Sequence, residues 1–474
     1  MPPRKARMRG DEPVGRMRRQ LEIWGTKDPN VSAQLVLAMQ RNLFQQEAGL
    51  DMSFRYIESG TMMPREILEA DQPPFAFIQT PISAILLNDR DFPVKIVAPL
   101  ADIAGTQQLV IHPNCNILHP KELEGKRIAI AQDAAVYIAI SNMARDIGID
   151  LRKIEFVDLL PNEQMKAFMD GDVHAIASWE PWTTNARKFG GQMFFSGVRS
   201  EIPEMEGDVS WLVDQACLMV SDAHLQEFPE EIKAILRVLH IATNLINEER
   251  KHVVKELAGF FEMTQYELIA AMRKNLYSMN FDNLFRIGLL AFRDFLHHEG
   301  MVSRMFTEQE LYDTTLLREV APDLIQFEAK SMQPVSVVER PNVYYRKDIS
   351  IISDVELRFL VADDSKVVRT SLAQTVDILG GEVVAEATSG QEAIAAFKRL
   401  RPNFVTMDLS MPGMSGIDAI KQIFEIAPET VVIVVSGSDL KELREEVFEL
   451  GVKIFIVKPF DPLLVAEIVG LLLL

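Results

Sequence analysis

Cysteine is almost missing from this chain. Two residues, Cys115 and Cys217, among 474 cannot build a disulfide framework or a cysteine-rich zinc site. Basic charge is also scarce. There are 49 Lys plus Arg against 68 Asp plus Glu, a formal net charge of −19, which excludes an overall basic nucleic-acid binder and leaves room only for a local basic segment. Long apolar runs are lacking too. No uninterrupted stretch approaches the ~20 residues that span a bilayer. The basic start MPPRKARMRGDEPVGRMRRQ is not followed by the apolar core of a secretion signal. No transmembrane segment and a cytoplasmic location are therefore expected. What remains is ordinary globular composition, 48% hydrophobic and 25% charged, in a chain long enough for about three domains.

Residues 1–20 carry seven Lys/Arg and two acids without an apolar period, and read as a basic flexible tail. From Leu21 to about Val220, short apolar strand candidates alternate with helix-length segments such as Val31–Gln46 and Glu163–Asp170. That alternation predicts an α/β unit with mostly parallel sheets. Residues 222–324 turn into successive helical patterns, with Gly300 at a stop position. Between 326 and 356 periodicity fades, two prolines appear, and the segment reads as a linker. A second alternation fills 357–474.

That last unit has five strand candidates, LRFLVA, EVVAEA, FVTM, VVIVVS and KIFIV, each followed by a helical stretch. Five such repeats fit a doubly wound, flavodoxin-like sheet, whose site lies beyond the carboxyl ends of the strands. The polar residues fall at those ends: Asp363 and Asp364 after the first, Asp408 after the third, Ser436 on the fourth and Lys458 after the fifth. Converging carboxylates call for a hard divalent cation such as Mg²⁺. A carboxylate can also attack phosphorus to give an acyl phosphate, and the transferred group then needs positive charge and donors such as Lys458 and Ser436.

The segments LVADDS, MDLSMPGMSG, VVSGS and FIVKPF resemble the four signatures of response-regulator receiver domains. The resemblance implies Asp408 as phospho-acceptor and Asp363 and Asp364 as Mg²⁺ acids, with the Ser410 carbonyl as a further ligand. It also implies Ser436 as switch hydroxyl, Lys458 as phosphate-pairing lysine, Phe455 as switch aromatic and a cis Lys458–Pro459 bond. The final helix LLVAEIVGLLLL is unusually apolar; twelve residues are too few to cross a membrane, and the surface suits an intramolecular contact or a homodimer through the receiver.

In the N-terminal unit several strand-to-helix junctions end in small or polar residues, among them Gly25-Thr26, Ser59-Gly60-Thr61, Gln79-Thr80-Pro81, Gln132-Asp133 and Trp179-Glu180-Pro181. Each alone reads as ordinary helix capping, whereas a set facing one cleft would form a small-molecule site. Segments such as ESGTMMPREILEADQPPFAFIQTP and LLPNEQMKAFMDGDVHAIASWEPW resemble type II periplasmic substrate-binding proteins of the nitrate, sulfonate and thiamine-precursor class. The likeness implies one lobe from 21–105 and about 215–325, a second from 112–208, and crossings near Thr106–Ile111 and Trp211–Val220. It places a small-molecule ligand near Trp24, Thr61, Gln79, Thr80, Gln132, Asp133 and Glu180, with Trp179 and Trp182 as walls. The chain departs from that family in lacking an export signal. It also lacks the cysteine-rich motif of enzymes in the thiamine-precursor branch.

Together these readings describe a cytoplasmic two-component phosphorelay protein, phosphorylated on Asp408 by a histidine kinase or phosphotransfer protein and coupled to a small-molecule-binding domain, with no substrate turnover. No helix-turn-helix follows the receiver, so no DNA contact is expected. Two alternatives stand beside this reading: a transporter-type solute receptor, and a metabolic enzyme of the thiamine-precursor class under receiver control.

Overall fold

The structure, a computed structural model, describes residues 21–327, 337–346 and 356–473. The basic tail and the remainder of the expected linker lie outside the described residues. Three mixed sheets organise the chain.

The first sheet runs in the order Leu276–Tyr277, Val94–Asp102, Gln215–Ser221, Ala76–Gln79, Leu21–Thr26, Met52–Ile57. The second runs Gly207–Asp208, Arg199–Ser200, Gln192–Ser196, Gln108–Ile111, Ala175–Ser178, Arg127–Ile130, Glu155–Asp158. Each is the floor of one lobe. The expectation of mostly parallel sheets fails here. Leu21–Thr26 pairs in parallel with both its neighbours, but Gln215–Ser221 lies antiparallel between Ala76–Gln79 and Val94–Asp102. In the second sheet Gln108–Ile111 is antiparallel to both its neighbours. The antiparallel strands are those that carry the chain out of one lobe and back into the other, so they enter each sheet against its direction. The crossings are also shorter than expected. Gln108–Ile111 already belongs to the second sheet and Gln215–Ser221 to the first, which leaves 103–107 and 209–214 to span the gap.

Local chemistry explains most element ends. Helix Pro29–Gln40 starts on Asp28, whose carboxylate accepts from the Asn30 N–H at 2.8 Å, with Pro29 at the first position. The expected single helix Val31–Gln46 is two, Pro29–Gln40 and Leu43–Ala48, because Asn42 takes a left-handed φ of 53° between them. Helix Asn283–His298 is capped by Asp282, which accepts from the Phe285 N–H at 2.8 Å.

The third sheet runs Val337–Arg340, Val343–Arg346, Ile454–Val457, Val431–Ser436, Phe404–Met407, Arg358–Ala362, Glu382–Ala387. Its last five strands are the parallel set expected for the receiver. The first two correct the linker reading of 326–356. Residues 337–346 form a hairpin whose second strand pairs antiparallel with Ile454–Val457. The Pro that read as a linker signal is a turn signal: Pro341 precedes Asn342, at φ 58°, the residue pattern of a type II turn. The hairpin covers what would otherwise be the unpaired edge of the receiver sheet. It is held by the Tyr344 hydroxyl donating to Asp439 at 2.8 Å, by Arg444 stacked 3.9 Å over the Tyr344 ring, and by Tyr344 lying opposite Phe455. Replacing Tyr344 by Ala is expected to lower receiver stability by about 1–3 kcal/mol, read from the midpoint shift in urea unfolding; an unchanged midpoint would mean that the hairpin adds nothing to the fold.

The apolar final helix Pro462–Leu473 uses part of its surface inside the molecule. Val465, Ile468 and Val469 are buried against Val368, Leu372 and Val376. Among the described residues no helix is long and apolar enough to cross a membrane.

Candidate functional site

The receiver strands deliver their terminal residues to one point. Strand Arg358–Ala362 lies between Glu382–Ala387 and Phe404–Met407, so the winding reverses beside it, where a doubly wound sheet leaves a crevice. Asp363 and Asp364 follow that strand and Asp408 follows its neighbour. The three carboxylates offer ligand atoms within 4.8 Å of one another. Lys458 Nζ stands 2.7 Å from Asp363 Oδ2 and 3.0 Å from Asp408 Oδ2. Asp363, Asp364, Asp408, Ser436 and Lys458 are all less than a tenth exposed, so bulk water does not screen their charges. Burial pushes the Asp363 carboxyl up to about 7, with the Asp408 charge adding and Lys458 opposing. Asp364 is pushed well above the usual range by burial and by its two acidic neighbours. Burial alone would lower the Lys458 ammonium, but Asp363 and Asp408 outweigh it and its pKa rises. Three buried carboxylates around one ammonium, two of them pushed up for want of positive charge, form an oxygen donor set that fits a hard divalent cation.

The support of this centre includes residues that sequence reasoning passed over. Arg369, on helix Lys366–Ile378, donates to the Asp363 and Asp364 carbonyls, each at 2.8 Å, and so fixes the acidic turn. Gly416 packs so closely that a Cβ there would stand 1.9 Å from the Asp408 carbonyl oxygen. The Ser410 N–H donates to Asp408 Oδ1 at 3.3 Å and the Ser438 N–H to Ser436 Oγ at 3.1 Å. Phe455 is fully buried, and the Lys458–Pro459 bond is cis.

The N-terminal unit closes over this centre. The Ser210 hydroxyl donates to Asp364 Oδ2. Asp146, held by the Trp211 indole N–H at 2.9 Å, lies close enough for its charge to act on Lys458 and Asp408. An Arg145 guanidinium nitrogen lies 3.3 Å from where a Cβ on Gly437 would stand. These residues, with Asp364, Asp408 and Lys458, line a partly open cavity of about 430 Å³ between the units. Beside it, helix Asn283–His298 docks on helix Lys441–Leu450. Ile287 and Leu290 join the receiver core that contains Leu443 and Val447. Arg286 pairs with Glu446 at 2.9 Å, Arg293 with Glu442 at 3.0 Å, and Asn283 donates to Asp418 at 2.8 Å. None of these pairings spans a sequence separation that a motif search covers.

Between the two lobes lies a second cavity, of about 400 Å³. Of the residues expected there, Thr61, Gln79, Thr80, Asp133 and Glu180 line it, as do Trp179 and Trp182. Two do not. Trp24 is 1% exposed within the lobe core, its ring under the Arg55 guanidinium and its N–H on Glu22; a strand residue facing the helices is buried by them. Gln132 is exposed outside the cavity, its backbone N–H on Asp158. Thr26, Asp28, Glu58 and Gln107 line the cavity as well. Asp28 was hidden by its second role as a helix cap.

Comparison with known proteins agrees with this architecture. Residues 359–469 match the response regulator receiver domain family, and residues 30–250 match the family described as NMT1/THI5 like. The chemotaxis protein CheY of Thermotoga maritima is 44% identical over 110 residues, which is 23% of this chain and 92% of that protein. CheY of Bacillus subtilis is 38% identical over 104 residues, 22% of this chain and 87% of that protein. Among solved structures, the periplasmic aliphatic sulphonate binding protein SsuA from Escherichia coli superposes with a TM-score of 0.53 at 15% identity, covering 68% of this chain and 98% of that one. The periplasmic nitrate-binding protein NrtA from Synechocystis PCC 6803 gives 0.53 at 12%, covering 64% and 89%. At those identities the likeness is one of fold. With its acidic centre at the switch point and a CheY-like sequence around it, the chain belongs to the response regulator receiver family, its receiver fused to an N-terminal unit with the fold of a periplasmic substrate-binding protein.

Proposed function

We propose that this protein is a phosphorelay signalling protein, not a turnover enzyme, in which Asp408 takes a phosphoryl group from a phosphohistidine of a kinase or phosphotransfer protein. The observation that carries the reading is the buried trio Asp363, Asp364 and Asp408 around Lys458. An Asp408 carboxylate oxygen forms a bond to phosphorus as the phosphorus–nitrogen bond breaks and the imidazole leaves. Lys458 compensates the charge on the transferred group, and the Ser436 hydroxyl stands ready to donate to it. Asp363, Asp364 and Asp408, with the Ser410 carbonyl, would hold Mg²⁺, which supplies further positive charge. Asp364→Asn is expected to weaken Mg²⁺ binding by tenfold or more, since a neutral amide replaces a charged ligand; calorimetric titration of the full chain with MgCl₂ measures it, and equal affinity in the variant would remove Asp364 from the site. We place the protein in the cytoplasm, where ATP-charged kinases act.

The second part of the reading is coupling of the phosphorylation state to a small molecule in the interlobe cleft. Both lobes touch the receiver. Helix Val136–Ile147 begins just after the cleft residues Asp133, Ala134 and Ala135 and ends with Arg145 and Asp146 over Asp408. Helix Asn283–His298 comes from the other lobe and grips Lys441–Leu450. A relative movement of the lobes therefore shifts the cover on the acidic centre. Linkage makes the effect reciprocal, so a cleft ligand and beryllofluoride on Asp408 are each expected to change the other's affinity by the same factor. Calorimetry on the full chain reads this, and unchanged dissociation constants would leave two independent units.

A further inference from the structure

The cleft carries charge of one sign. Its lining includes Asp28, Glu58, Asp133, Glu180, Glu262 and Glu267, against the single cation Lys27. The available cations are already committed: Lys27 pairs with Glu262, Lys274 with Glu180 and Lys188 with Glu267. Asp28, Glu58 and Asp133 have no ion-pair partner among the described residues. Burial pushes the Asp28 carboxyl up to about 7, with the Glu180 charge adding to it, and burial raises Asp133 as well, with Arg90 opposing and Asp158 adding.

A second observation is independent of charge. Three oxygen atoms on the cavity wall are buried without a hydrogen-bond partner: Thr26 Oγ1, Gln107 Oε1 and Asp133 Oδ1. Thr26 and Gln107 are 4% and 5% exposed. Each of the three accepts hydrogen bonds, and an unmet buried acceptor costs free energy until a donor arrives. Trp179 and Trp182 also line the cavity, and indole faces attract organic cations. An oxyanion placed here would meet Asp28, Glu58 and Asp133, none of them in an ion pair among the described residues, and the one cation of the lining, Lys27, is already paired with Glu262.

We propose that the cleft binds a small organic cation rich in N–H donors, an amine, amidine or protonated amino-heterocycle, with Asp133, Asp28 and Glu58 compensating its charge and Thr26 and Gln107 accepting from it. This rests on reading the cleft as the ligand site of the signalling protein and names the class of ligand. It sets the cleft apart from the sulphonate- and nitrate-binding proteins whose fold it shares.

The test uses the full chain and two probe sets: putrescine, agmatine and 4-aminopyridine as cations, and ethanesulfonate, nitrate and sulfate as anions. Melting temperature and calorimetric affinity are read for each. Members of the cation set are expected to bind and raise the melting temperature, and the anions to leave it unchanged. Asp133→Asn keeps the shape and tolerates the left-handed φ of 63°, and is expected to weaken cation binding at least about tenfold. Glu58→Gln, at an exposed rim position, provides a second variant with the same expected direction. Binding by an anion in place of the cations overturns the inference and leaves the cleft a ligand site. Equal cation affinity in wild type and both variants overturns it as well. Silence from both sets at millimolar concentration removes the cleft as a ligand site and this inference with it.

Discussion

Full-length protein incubated with acetyl phosphate and Mg²⁺ will gain the mass of one phosphoryl group, and Asp408→Ala will gain none. The expectation follows from geometry before likeness. Asp408 is 2% exposed, yet it lines the partly open cavity between the units, within reach of a small donor. Its carboxylate is 3.0 Å from Lys458, which can take up the charge that arrives. Asp363 and Asp364 are also carboxylates, but Asp363 is fully buried and does not line that space, and Asp364 receives the Ser210 hydroxyl. A single acceptor is therefore expected, and loss of that one oxygen pair removes the reaction rather than slowing it. Intact mass spectrometry decides the matter. Equal labelling of the variant would move the acceptor elsewhere. Lys458→Ala removes the one countercharge of the buried carboxylates, so it is expected to lower stability as well as to lose most of the label, the transferred charge being left unpaired in a buried site.

Leu290→Asp is expected to separate the two units and to speed labelling of Asp408. Leu290 is fully buried in the core cluster that includes Leu443 and Val447 of the receiver. A carboxylate there has no partner, and an unpaired buried charge costs about 3–5 kcal/mol, which exceeds the usual coupling between sites of about 1–3 kcal/mol. Once the helix Asn283–His298 lets go, Ser210 leaves Asp364, and Asp146 no longer stands over Lys458 and Asp408. The rate of labelling by acetyl phosphate should then rise about 5- to 150-fold, the range of ordinary coupling energies. Glu442→Arg, which turns the Arg293 pair into a repulsion, should act in the same direction with less damage to packing. Rates equal to wild type in both variants, with cooperative unfolding retained, would mean that the cover over Asp408 has no bearing on access.

The receiver was legible because its chemistry is local. Asp363, Asp364, Asp408, Ser436 and Lys458 each sit on or beside the end of a short apolar strand, and a doubly wound sheet brings such ends together whatever the rest of the chain does. The helices of 222–324 were legible for a similar reason, since an apolar stripe recurring every three or four residues has one economical way to be buried. The cleft was legible only in part. Thr61, Gln79, Thr80, Asp133 and Glu180 reach it because they follow strands, whereas Trp24 does not, since the face of a strand residue depends on which side its helices pack. Antiparallel crossing strands were hidden as well, because a strand's direction leaves no mark in its own residues.

Most of the elements, the carboxylates at the receiver's strand ends and the two-part character of the chain are written in local sequence pattern. Tertiary structure alone decided that residues 337–346 close the receiver sheet, since a short, half-polar strand carries no mark of the edge it pairs with. It alone placed Ser210, Arg145 and Asp146 over Asp408 and joined Arg286 and Arg293 to Glu446 and Glu442. Those contacts bridge separations of 149 residues and more, and nothing in a local pattern encodes a partner that far along the chain. It is there, where one unit covers the other's reactive group, that binding in the cleft and chemistry at Asp408 come within reach of each other.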